Sequence, residues 1–141
     1  MTPEQIQLIK KTWKVFRGVK PETVGDLFYS KLFADNPGLR KMFPRNMQEQ
    51  YQKLIDMLNA IVIRLNQLEE LSDEIAAMAR RHEGYGVKTS HYKLVGAALL
   101  WTLQKGLGDD WTPEVEKAWT TCYTILSDTM ISATSTNEKA V

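Results

Sequence analysis

The stretch that decides the fold is MARRHEGYGVKTSHY, residues 78–92. It starts on the apolar stripe of one helix, breaks at Gly84 and Gly86, and enters a second helix near Ser90. His82 follows Ile75, Met78 and Ala79 at offsets of seven, four and three, so it shares their inward face at the end of the first helix. A helix, a glycine corner and another helix within 15 residues leave no room for a strand.

The same grammar holds on both sides of this corner. Upstream, Ser72-Asp73-Glu74 is an acidic helix start. Before it, a long helix from about Gln48 to Gln67 turns Tyr51, Leu54, Leu58, Ile61 and Leu65 inward. Residues 37–47 (PGLRKMFPRNM) predict a short helical turn and a loop that expose Met42 and Phe43 just before Pro44. A helix from Pro21 carries Val24, Leu27, Phe28 and Leu32, with Tyr29 and Phe33 beside that face, and stops at Asn36-Pro37-Gly38. The chain opens with Thr2-Pro3-Glu4-Gln5, a capping box with proline at the first helical position, followed by the stripe Ile6, Ile9, Trp13 and Phe16.

Downstream, Tyr92, Val95, Leu99 and Leu103 define a helix from about Ser90 to Leu107. Thr112-Pro113-Glu114 then repeats the opening start signal ahead of Val115, Trp119, Cys122, Leu126 and Met130. The segment after Ser132 is small and polar and is expected to fray. The expectation is therefore an all-α protein of six to eight helices, with one domain over residues 1–132 and a frayed tail over 133–141.

Composition narrows the function classes. The net charge is +1, with acids and bases interleaved and no basic cluster, which argues against nucleic-acid binding. Cys122 is the single cysteine, so no internal disulfide forms and a reducing compartment is expected. The N-terminus reads as an amphipathic helix rather than a signal peptide, and no apolar run reaches membrane-spanning length. A soluble, cytoplasmic protein follows as the expectation.

No phosphate-binding loop, dinucleotide fingerprint or nucleophile elbow is present, and His and Cys never cluster at zinc spacing. Glu69, Glu70, Asp73 and Glu74 read as a solvated helix start. His82 is the informative residue, and two readings stand. It is a core histidine satisfied by a carbonyl one turn back, or a metal ligand offered into an apolar cavity. A single protein ligand leaves most of the metal's coordination to be supplied from elsewhere, as a porphyrin does. That second reading predicts a large flat apolar cavity between facing helices, with polar groups across from the histidine.

Four separated segments now carry a resemblance. They are LFYSKLFADNPGLRKMF (27–43), QYQKLIDML (50–58), RRHEGYGV (80–87) and SHYKLVGAALL (90–100), joined by Ala118, Trp119 and Tyr123 in the last helix. In that order and spacing the chain resembles the globins, and more closely the single-domain bacterial globins related to flavohaemoglobins and neuroglobins. The likeness runs over about residues 3–131.

The resemblance implies a globin fold enclosing a haem pocket, with haem b held non-covalently because no C-x-x-C-H site exists. It implies His82 as the proximal iron ligand, Phe43 stacked on the haem, and Tyr29 and Gln50 as the distal polar pair. Leu54 and Leu58 would lie on the distal face, Met78 on the proximal face, and Val87 and Tyr92 beside the haem after the proximal helix. Lys53, and less directly Arg81, would reach the propionates at the rim, and His91 would sit at the rim as a bystander. Tyr and Gln can both donate hydrogen bonds to O₂, which accepts them more strongly than CO when bound to ferrous haem. Such a bond to a charged partner is worth roughly 1.5–3 kcal/mol, about ten- to a hundredfold in O₂ release.

Two departures from the family pattern bear on function. Flavohaemoglobins carry a glutamate on the last helix that joins the proximal histidine and a tyrosine, and Thr134 stands at that position here. Gln50 stands where neuroglobins have a distal histidine, and an amide is a poor iron ligand. The first weakens the case for peroxide-like or NO-dioxygenase turnover, and the second argues against bis-histidine coordination. The first expectation is a reversible O₂ carrier or store that also meets CO, NO or nitrite. The alternatives are an NO dioxygenase or a nitrite- or peroxide-reactive protein working with an external reductase, and a haem-based gas sensor.

Overall fold

The computed structural model describes residues 1–139, and these fold into six α-helices with three short 3-10 segments. The helices are α1 (Pro3–Arg17), α2 (Pro21–Asp35), α3 (Gln48–Ile63), α4 (Ser72–Gly84), α5 (Thr89–Leu107) and α6 (Pro113–Lys139). The 3-10 segments cover Pro37–Met42, Leu65–Leu71 and Gly108–Asp110. No strand occurs among the described residues.

Helix starts are where local chemistry places them. Thr2 and Gln5 close the capping box reciprocally, at 3.0 and 3.1 Å. Thr112 accepts from the Val115 amide at 3.2 Å and opens α6 in the same manner.

The long helix expected to reach Gln67 instead ends at Ile63, and residues 65–71 tighten into 3-10 turns with Gln67 kinked out of helical geometry. The reason is the spacing of Leu65, Leu68 and Leu71. Three residues apart, they stay on one face only at three residues per turn, and Leu65 and Leu71 are buried. At the other end of the chain, α6 continues past Ser132 through Lys139. Of the tail expected to fray, residues 140 and 141 lie outside the described residues.

Helix α1 packs on α6, α2 on α3 and α5, and α4 on α6. Where α1 meets α6, Trp13 stacks on Phe16 at 5.5 Å and tilts against Trp119 at 6.1 Å. Both indole N–H groups are satisfied: Trp13 donates to Asn59 Oδ1 at 2.6 Å, and Trp119 donates to Thr12 Oγ1 at 3.0 Å. The α2–α3 crossing is close because Gly25 lacks a side chain. A Cβ there would stand 2.6 Å from the Cβ of Tyr51. That approach sets the start of α3 directly against α2, and so brings Gln50 to Tyr29.

Candidate functional site

Tyr29 is the centre of the first cluster. It is buried in α2 with rings on four sides: Phe28 at 4.8 Å, Phe33 at 5.8 Å, Phe43 at 5.4 Å and Tyr51 at 5.9 Å. Gln50, in the first turn of α3, donates from Nε2 to the Tyr29 hydroxyl oxygen at 3.0 Å. The oxygen is thus an acceptor in this pair, and the hydroxyl proton remains to be donated elsewhere. Burial pushes the Tyr29 hydroxyl up to about 12, against a smaller opposing effect of the Gln50 bond and with a slight further push from Tyr51. It stays protonated, as a donor must.

Sequence reasoning missed what holds the corner between α2 and α3. Arg40 donates to the carbonyl oxygens of Phe43, Pro44 and Arg45 at 3.2, 3.0 and 3.1 Å. Its guanidinium also lies over the Phe33 ring, 5.5 Å from the centroid. The available signal was a lone arginine before a proline corner, which by itself has many surface explanations.

His82 is the centre of the second cluster. It is half-buried near the end of α4, and Nδ1 lies 2.7 Å from the Met78 carbonyl oxygen. A carbonyl only accepts, so Nδ1 carries a proton, and in the neutral ring that leaves the lone pair on Nε2. This bond satisfies both readings of His82 and decides neither.

The helix then closes in a Schellman motif. The Val87 amide donates to the His82 carbonyl at 3.0 Å, and the Gly86 amide donates to Glu83 at 3.0 Å. Gly86 takes φ of 91°, a left-handed conformation that side chains resist. The glycine four residues past His82 therefore turns the chain so that the Val87 amide meets the His82 carbonyl. His91, expected to be a bystander, accepts at Nδ1 from the Lys88 amide at 3.0 Å and caps the start of α5.

Tyr92 is buried, and its carbonyl accepts from the Tyr123 hydroxyl at 2.5 Å. Burial raises its own hydroxyl first, with the nearby Glu83 charge second. Thr134 is buried too, but its hydroxyl turns back on α6 to the Ile131 carbonyl at 3.0 Å and the Met130 carbonyl at 3.4 Å. A cavity of about 520 Å³, open to solvent, is lined by Glu83, Val87, Lys88, Tyr92 and Thr134 among others.

Met42, next to Phe43, approaches the corner after His82: its methyl lies 3.9 Å from where a Cβ on Gly86 would sit. Helix α3 is held by α2 and α1, whereas α4 is held by α6 and the 3-10 segment before it. Leu54, Met78, Val87 and Phe43 are apolar but only half-buried. Leu58 is fully in the core, while Lys53 and Arg81 are exposed. The large flat cavity that the sequence predicts is not among the cavities described. Neither the one above nor one of about 500 Å³ between α1 and α3 is lined by Tyr29, Gln50 or His82.

The donor set fits an iron porphyrin. Among the described residues, no three His, Cys, Asp or Glu side chains gather about one point, so a metal would need equatorial donors of its own. One imidazole offers a lone pair, and half-buried apolar side chains flank it. Among the described residues no helix is long and apolar enough to cross a membrane.

Comparison with known proteins agrees with this arrangement. A family model described as Globin matches residues 26–130. An uncharacterized globin-like protein of Aquifex aeolicus is 32% identical over 132 residues, which cover 94% of this chain and 93% of that protein. A flavohemoprotein of Bacillus subtilis is 30% identical over 129 residues, covering 89% of this chain and 32% of its own length. The chain spans about a third of the length of the flavohemoproteins it matches. The solved structure of a bacterial globin from Campylobacter jejuni superposes with a TM-score of 0.82 at 27% identity, covering 98% of this chain and 99% of that one.

Proposed function

The chain belongs to the globin family, and we propose that it binds haem b non-covalently and uses it to carry or store O₂ reversibly. Haem, when bound, supplies an iron that takes one protein ligand and one diatomic gas. His82 would be that ligand, through Nε2. Its Nδ1–H bond to the Met78 carbonyl holds the ring orientation and raises the basicity of the coordinating nitrogen. Phe43 would pack against the porphyrin, and Leu54, Leu58, Met78, Val87 and Tyr92 would supply apolar contact. Lys53 and Arg81, both exposed, would pair with the propionates.

One observation carries this reading: the 3.0 Å bond from Gln50 to Tyr29 inside a ring of aromatic side chains. Gln50 occupies the hydroxyl oxygen, which aims the Tyr29 proton away from it and strengthens Tyr29 as a donor. The two side chains then act as a unit that favours a gas able to accept a hydrogen bond.

A second reading, NO dioxygenase action with a separate reductase, draws support from the flavohemoprotein relatives. Thr134 speaks for the carrier, because its hydroxyl is spent on backbone carbonyls and offers no carboxylate to the proximal side.

The test is the absorption spectrum of the purified chain after haem supply, compared with that of His82→Ala. A histidine-ligated haem spectrum that is lost or altered in the variant supports the reading. A colourless protein, or a variant with an unchanged spectrum, rejects it. Sustained NO consumption with a cellular reductase would move the assignment to the enzyme.

A further inference from the structure

Arg40, which holds the corner between α2 and α3, has no part in the function proposed above, yet its guanidinium makes three hydrogen bonds to carbonyl oxygens. All three accepting carbonyls belong to consecutive residues, Phe43, Pro44 and Arg45. That run is the irregular link between the 3-10 turn at Pro37–Met42 and α3. Its carbonyls point where no regular ladder can use them, and Pro44 has no amide to offer. The planar guanidinium bridges all three at once, and its face rests on Phe33.

The residues so held touch both clusters. Phe43 packs on Tyr29 at 5.4 Å and on Phe33 at 5.3 Å. Met42, its neighbour, reaches Gly86 beyond His82. We propose that Arg40 is the positioning residue of this corner: by clamping the 43–45 carbonyls it seats Phe43 against Tyr29 and Met42 against Gly86, and so sets both haem retention and the registration of the distal donors. Arg40 itself touches no gas. The inference rests on the haem reading above, and its test separates the two.

The experiment compares wild type with Arg40→Gln and Arg40→Lys as full chains. Haem transfer to an excess of an apoprotein scavenger is expected to be about tenfold faster in Arg40→Gln, equivalent to losing one charge-assisted hydrogen bond. Arg40→Lys should restore part of the difference, because an ammonium keeps the charge but cannot span three carbonyls. The infrared stretch of CO on the loaded protein should broaden or split in Arg40→Gln, which a general loss of stability would not cause.

NMR contacts between the Phe43 and Tyr29 rings, measured on the chain as purified, should weaken. Haem loss at the wild-type rate, or unchanged ring contacts, would overturn the inference. A wild-type chain that takes up no haem sinks the functional reading alone, and the Phe43–Tyr29 contacts then still judge Arg40. Should Arg40→Gln fail to fold, Arg40→Lys decides: weakened contacts support the clamp and wild-type contacts reject it.

Discussion

Replacing Tyr29 by Phe separates what this residue does for the fold from what it does for a ligand. The ring remains, so the contacts with Phe28, Phe33, Phe43 and Tyr51 persist. One neutral hydrogen bond at 3.0 Å is lost, worth about 1 kcal/mol. Gln50 is half-buried, so its amide recovers part of that from water, and a buried hydroxyl no longer has to be desolvated. The net change in stability should therefore stay within about 1 kcal/mol.

Gas release is another matter. A donor facing charge that develops on the ligand is worth roughly 1.5–3 kcal/mol, so O₂ should leave about ten- to a hundredfold faster, with CO release changed far less. Stopped-flow displacement of O₂ by CO, and of CO by NO, reads both rates. Because Gln50 acts through the Tyr29 oxygen, Gln50→Leu should have a smaller effect in the Tyr29→Phe background than in wild type. Equal acceleration of both gases, or strictly additive single mutants, would refute the donor arrangement.

Two further predictions follow from the geometry. Gly86→Ala places a side chain at φ of 91° and should cost about 1–2 kcal/mol in a urea titration, with faster haem loss; Gly84→Ala, with nothing within 4 Å of its new Cβ, should be neutral or stabilising. Alkaline pH should weaken the fold. Burial raises Cys122 from 9.0 to about 12 and Tyr29 from 10.0 to about 12, and it raises Tyr123 as well. Each folded group holds its proton to higher pH than the unfolded chain does. The stability present below pH 9 is thus lost as pH climbs through 12, at up to about 1.4 kcal/mol per pH unit for each group. Urea midpoints that stay level from pH 8 to 11 would contradict this, and Cys122→Ala should delay the onset by about one unit.

Much of the architecture is legible in the residues because its causes are local. The Thr2 and Thr112 caps and the breaks at Asn36-Pro37 and Gly84–Gly86 all place element ends within a residue or two of the observed ones. The apolar stripes likewise mark faces that the structure buries. The difference at residues 64–67 is also local in origin: Leu65, Leu68 and Leu71 recur every three residues, which a 3-10 turn satisfies and a 3.6-residue helix does not.

The site divides differently. From the sequence by itself came the all-α class, the helix order, and the inward face of His82. These depend on neighbours within one or two turns, whose energetics the chain carries with it wherever it folds. The partners across space were decided only by the tertiary structure. Gln50 reaches Tyr29 because Gly25 lets α3 close on α2, and the tautomer of His82 is set by a carbonyl whose direction needs a finished helix end. Arg40 finds three carbonyls that exist as a cluster only once the corner has turned. Such contacts join residues whose separation along the chain carries no period, so no pattern in the letters announces them, and only packing brings them within hydrogen-bond range.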